Sequence, residues 1–145
     1  MRVLWAASAD CGTWFPAAPI VVGLVAAGHE VVVTGLPGVA QVAADLGLKF
    51  IAEDPASLAP AADDGHGWFD RRLHSRILGA GLTARTLLPF LEAGGFDVVF
   101  ADIFRYGAGL AAQGQGVPWV SYVHHCYIGD AVIDGLFQMS WDGSG

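Results

Sequence analysis

The apolar positions of this chain fall into two kinds of segment. Short runs at Val3–Ala7, Val31–Thr34, Lys49–Ile51, Val98–Ala101 and Trp119–Val123 are continuously apolar rather than alternating. Strands covered on both faces read this way. Between them lie longer segments with helical spacing. The first is predicted to start near Pro16, where a proline suits the opening turn, and to run through Ile20, Val21, Leu24 and Val25. Gly28 supplies its left-handed stop. The second covers Pro37 to Leu46 and stops at Gly47. A third runs from Trp68 to Ala93, with a break expected at Gly79 to Gly81. The fourth spans Gly107 to Gln115, ahead of Gly116 and Pro118.

Strands alternating with helices predict an α/β domain, a doubly wound parallel sheet with helices on both faces. Right-handed crossovers then give the strand order 3-2-1-4-5. The order reverses between strands one and four, and ligands of such sheets sit there, outside the carboxyl ends of the strands. Two loops meet at that point, Ser8 to Phe15 and Asp102 to Tyr106. The stretch Ala52 to Gly67 is a Pro/Ala/Asp/Gly-rich loop, long for a connection. Residues 1–130 read as one Rossmann-like domain. Residues 131–145 read as a tail without clear periodicity, ending Asp142-Gly143-Ser144-Gly145.

Composition narrows the function classes. The chain has 145 residues, 54% apolar and 14% charged, with a formal net charge of −7. That charge repels phosphate backbones and anionic bilayers, so neither nucleic acid nor membrane is an expected partner. No run reaches the ~18 apolar residues of a membrane span. The opening residues read as a strand rather than a signal peptide. Cys11 and Cys126 show no redox or metal spacing, and a reduced, cytoplasmic protein is expected. No cofactor motif is present: Gly107-Ala108-Gly109 follows the wrong strand for a dinucleotide fingerprint. His124, His125, Cys126 and Cys11 do not suggest a metal site, because adjacent strand residues point to opposite faces.

The order of local motifs is more specific. The chain opens Met1-Arg-Val-Leu-Trp-Ala-Ala-Ser-Ala-Asp-Cys-Gly-Thr-Trp-Phe-Pro16, and its first helix ends Ala26-Ala-Gly-His-Glu-Val-Val-Val33. Later come Phe96-Asp-Val-Val-Phe-Ala-Asp102 and Tyr106-Gly-Ala-Gly-Leu-Ala-Ala-Gln-Gly-Gln-Gly-Val-Pro-Trp-Val120. Over residues 1–125 this resembles the N-terminal domain of bacterial natural-product glycosyltransferases with the GT-B fold. The resemblance implies a domain that binds an apolar, polyketide-like acceptor. It also implies a second domain, supplied elsewhere, that binds the nucleotide-sugar. In that family a first-loop histidine deprotonates the acceptor hydroxyl, and an Asp after the fourth strand orients it. Asp102 matches the Asp. Thr13 stands where the histidine belongs, and a threonine is no base near neutral pH. Asp10 and Cys11 are its polar neighbours. The resemblance further sets Trp68, Phe69, His74 and Ile77 over the acceptor pocket.

Each candidate also has a structural alternative. Asp102 is either a site carboxylate or a helix or loop cap, and Thr13 either a site residue or an N-cap ahead of Pro16. Trp14 and Phe15 form either an aromatic wall or core packing. His124 and His125 are either acid/base groups or loop residues. His29 is expected in a structural hydrogen bond. Arg71, Arg72, Arg76 and Arg85 read as a solvated helix face. Three functions compete. One is the acceptor-binding half of a glycosyltransferase. The second is a stand-alone binding protein. The third is a repurposed enzyme with Asp10, Asp102, His124 and His125 as acid/base candidates. Partners are then a small apolar acceptor, a donor-binding domain, or a second copy docked through the region after Tyr127.

Overall fold

A computed structural model describes residues 1–8, 11–53 and 68–123, with backbone alone at Cys11 and residues 68–78. Its five strands are β1 (Arg2–Ala6), β2 (Glu30–Gly35), β3 (Lys49–Ala52), β4 (Val98–Asp102) and β5 (Trp119–Tyr122). They pair in parallel, in the order β3-β2-β1-β4-β5. The helices are α1 (Cys11–Ala26), α2 (Ala40–Asp45, entered through a 3₁₀ turn at Pro37–Val39), α3 (Trp68–Glu92) and α4 (Tyr106–Gly114).

Alternation along β1 builds both layers. Val3, Trp5 and Ala7 face one side and pack with Val31, Val33 and Phe100 beneath Ala17 and Val21 of α1 and Ala43 of α2. Leu4 and Ala6 face the other and pack with Val32, Val99 and Ala101 beneath Leu87 and Leu91 of α3 and three alanines of α4. The inner strands are therefore dry on both sides, as their apolar runs predict. The outer strands are not: Trp119, Val120 and Val123 at β5 are each about half exposed, and β3 is only partly covered. An unbroken apolar run marks a strand but does not say whether it lies inside or at an edge.

Three helices end by one device. Gly28, Gly47 and Gly116 adopt φ of 82°, 65° and 66°, and the residue after each donates its N–H to the carbonyl five positions back. This Schellman closure turns each helix into the next strand, and glycine takes the left-handed position without a Cβ clash.

Three boundaries differ from expectation. The first helix begins at Cys11, five residues before Pro16, so Pro16 and Pro19 lie within it. Both prolines are exposed, on a side where water can serve the backbone groups they leave unbonded. The expected break at Gly79 to Gly81 is absent, and α3 runs through it. The expected helix over Pro37 to Leu46 divides into the 3₁₀ turn and α2. His29 does make a structural contact, its Nδ1 lying 3.3 Å from the N-terminal ammonium.

The glycines of α4 permit close packing. A Cβ at Gly107 would overlap the Ala80 carbonyl and stand 2.6 Å from the Thr83 Cβ on α3. At Gly109 it would stand 3.0 Å from the Trp119 ring. Gly107→Ala is therefore expected to destabilise the chain by about 1–3 kcal/mol through overpacking. Gly23→Ala, where a Cβ meets nothing within 4 Å, should stabilise by about 0.5–1 kcal/mol. Urea denaturation of the two variants checks both signs.

Candidate functional site

The described residues include seven buried polar or charged ones: Ser8, Thr13, Thr34, Glu53, Thr83, Asp102 and Arg105. All but Thr83 lie at the C-terminal ends of the strands or just beyond them. The opposite edge carries the exposed group of Arg2, Glu30, Lys49 and Asp97, with Glu30 between Arg2 at 3.3 Å and Lys49 at 2.8 Å. Lys49 and Arg2 hold the Glu30 carboxyl below its ordinary value, as surface partners do. Desolvating polar groups costs free energy, so their concentration at one edge marks where the fold departs from plain packing.

Where the strand order reverses, between β1 and β4, stands Asp102, at the end of β4 and 1% exposed. Its Oδ1 accepts the Phe104 N–H at 2.6 Å, and its carbonyl accepts the Arg105 N–H at 2.8 Å. The carboxylate thus closes an Asx-type turn between β4 and α4. It anchors the loop but does not cap the helix, whose N-cap is Arg105.

Thr13 lies in the first turn of α1 and is 3% exposed. It is inside the helix, so it is not the N-cap. Its carbonyl accepts the Tyr122 hydroxyl at 2.8 Å, across 109 residues of sequence. Tyr122 ends β5 and stacks on Phe100 of β4, with ring centroids 4.8 Å apart. Burial, and then the neighbouring Asp102 carboxylate, push the Tyr122 phenol above its ordinary value of 10.0. Positions 13 and 102 therefore meet through one phenol. Sequence reasoning missed Tyr122. Its only signal was its place at the end of the fifth strand, on the same edge as the loops.

Glu53 and Arg105 were missed as well. The Arg105 guanidinium pairs with the Glu53 carboxylate, with side chains 5% and 0% exposed. Thr34 donates its hydroxyl to the same carboxylate oxygen at 3.1 Å. Glu53 immediately follows β3 and Arg105 follows β4, so the pair passes over the ends of β2 and β1. Arg105 stood in a loop already assigned to the site edge, but nothing in the sequence set it apart from other arginines.

The aromatic candidates separate. Trp14 is half-buried and packs on the core beside β1, while Phe15 is 66% exposed and outside it. Their rings touch at 5.0 Å between centroids. Arg85 is exposed, as a solvated face requires. Asp10, His124, His125 and Cys126 lie outside the described residues, as do the side chains of Cys11, Trp68, Phe69, Arg71, Arg72, His74, Arg76 and Ile77 and the whole chain after Val123. Among the described residues no three His, Cys, Asp or Glu side chains come together as a metal site, and no helix is long and apolar enough to cross a membrane. An apolar groove of about 220 Å³ between α1 and α2, lined by Val21, Val22, Val25, Ala26, Leu46 and Leu48, lies away from these residues.

No family model and no curated protein matches the chain in sequence. Solved structures match it in fold. The glycosyltransferase of kitacinnamycin superposes with a TM-score of 0.74 at 18% identity, over 95% of this chain and 34% of that one. CalG4, the calicheamicin glycosyltransferase, gives 0.74 at 17% identity, over 95% and 36%. SsfS6 of Streptomyces sp. SF2575, solved with thymidine diphosphate, gives 0.64 at 23% identity, over 85% and 38%. The chain therefore has the fold of one part of the GT-B glycosyltransferases and spans little more than a third of the length of the structures it matches.

Above pH 10 the unfolded Tyr122 ionises while the folded one holds its proton. The stability that this phenol contributes is whole below pH 10 and is lost as pH rises from there toward its folded value. Alkaline titration of the melting temperature should fall more steeply for the natural chain than for Tyr122→Phe. Parallel curves would show that this phenol is not held protonated by the fold.

Proposed function

We propose that this chain is the acceptor-binding half of a natural-product glycosyltransferase, seating an apolar, polyketide-like molecule at the crevice between β1 and β4. The observation that carries this reading is the buried polar edge: Thr13, Tyr122 and Asp102 come together where the strand order reverses, within the fold shared with those enzymes. Phe15, exposed two residues after Thr13 in α1 and with its ring 5.0 Å from that of Trp14, is the aromatic surface assigned to the acceptor in this proposal. The nucleotide-sugar would be held by a second domain, supplied elsewhere.

The chemistry available to this half is limited. Asp102 is suited to hold a hydrogen-bond donor or to orient a base. Thr13 offers a hydroxyl but no proton acceptor of useful strength. Tyr122, kept protonated and already donating its one hydrogen to the Thr13 carbonyl, cannot abstract a proton. The residues described therefore favour binding and orientation over deprotonation. Of the unplaced candidates, Asp10, His124 and His125 remain the ones to supply a base, with Cys11, Trp68, Phe69 and His74 as further pocket residues.

A second reading follows from the same fact: a stand-alone protein that binds the apolar molecule without transferring sugar. The two separate in one series of experiments. Titration with flat aromatic polyketide aglycones, followed by tryptophan fluorescence, should show saturable binding. Phe15→Ala should weaken it about tenfold, in the range of an interface aromatic, while leaving the melting temperature unchanged. No saturable binding, or binding indifferent to Phe15→Ala, would refute the placement of the acceptor. Sugar transfer from a thymidine diphosphate sugar on adding a separately produced donor domain would favour the transferase. Product lost in Asp102→Asn with binding retained would assign the carboxylate to the chemistry.

A further inference from the structure

Arg105 is an unusual residue for its position. It is the N-cap of α4, with φ of −95° and ψ of 50°, and no side chain caps the helix there. A cation at a helix N-terminus opposes the helix dipole. It is also 6% exposed, so its charge is desolvated. Glu53 is 2% exposed, and its backbone N–H is fixed to the Gly35 carbonyl at 2.9 Å. Among the described residues, Glu53 Oε2 and Arg105 Nε are buried with no hydrogen-bond partner. As a source of stability this is a poor arrangement, since a buried ion pair with incomplete hydrogen bonding seldom outperforms apolar residues of the same size.

Its geometry suggests another use. The backbone N–H of Arg105 closes the Asp102 turn, and Phe104, between them in sequence, donates to Asp102 Oδ1. The side chain of the same Arg105 reaches the end of β3, where Thr34 and Gly35 of β2 fix Glu53 in side chain and backbone. The turn that presents Asp102 is thereby tied to the far side of the sheet. We propose that the buried Glu53–Arg105 pair is a clamp that positions the Asp102 turn at the crevice, making both of them positioning residues. The inference concerns the turn itself and stands whether or not the acceptor reading holds.

The test reads the turn directly by amide hydrogen exchange in the full chain. Val99, fully buried in β4 with its N–H donated to the Pro118 carbonyl, reports on general loosening. In Glu53→Met/Arg105→Met, which removes both charges at similar volume, the melting temperature should hold. The Phe104 amide should nevertheless exchange about tenfold faster relative to Val99, as local opening of that turn alone predicts. Arg105→Lys keeps a cation but loses the planar fork and should also raise the ratio. Should the double variant fail to fold, Arg105→Lys decides alone. An unchanged Phe104-to-Val99 ratio in a folded variant would overturn the clamp and leave the pair a purely structural contact.

Discussion

The architecture depends on burying β2, β1 and β4 on both faces. A parallel sheet cannot leave a face wet, because its crossover helices need somewhere to pack. Trp5 shows the constraint at its strictest. It stands in the central strand, is fully buried, and lies between Val33 and Phe100. The residues on either side of it in sequence, Leu4 and Ala6, face the opposite layer and are equally dry. With the Trp5 indole N–H as the one polar side-chain group on the faces of β1 after Arg2, most polar requirements of the fold are driven to the two ends of the strands.

The two ends resolve that requirement differently. At the N-terminal edge the charges sit in water and pair loosely, and such pairs contribute little. At the C-terminal edge the polar groups are buried and joined across strands that are distant in sequence: Tyr122 to Thr13, and Arg105 to Glu53. A fold selected for stability alone would not desolvate a carboxylate and a guanidinium there. Local rules broken in a cluster, as with the uncapped cationic start of α4, mark places where something besides packing is being specified.

Much of this could be read from residue order, and the missing part has a common cause. Strand and helix types, strand order and helix ends follow from local signals: apolar runs, the spacing of α3, and Gly28, Gly47 and Gly116. Boundaries were lost where tertiary bonding outweighed local propensity. Pro16 looks like a first-turn residue, yet the helix extends back to Cys11, and the Thr13 carbonyl there is held by a tyrosine from β5. Asp102 and Thr13 could be named because they stand in recognisable loops. Tyr122, Glu53 and Arg105 could not, because each acquires its meaning from a partner 109 or 52 residues away. Long-range polar pairs have no periodicity, and a single sequence carries no trace of them.

The Tyr122 contact constrains what position 13 can hold. A histidine at position 13 would need room for an imidazole, larger than the threonine side chain it replaces. Thr13 is almost wholly buried, and its first turn is pinned to β5 by the phenol that Asp102 adjoins. Inserting the ring would require Tyr122 or the start of α1 to move, and a core at close-packed density does not yield that space freely. Position 13 is therefore not free to change by itself. It is matched to a neighbour that engages the backbone beside it and is held protonated. That joint arrangement ties the start of α1 and the ends of β4 and β5 into one buried polar edge.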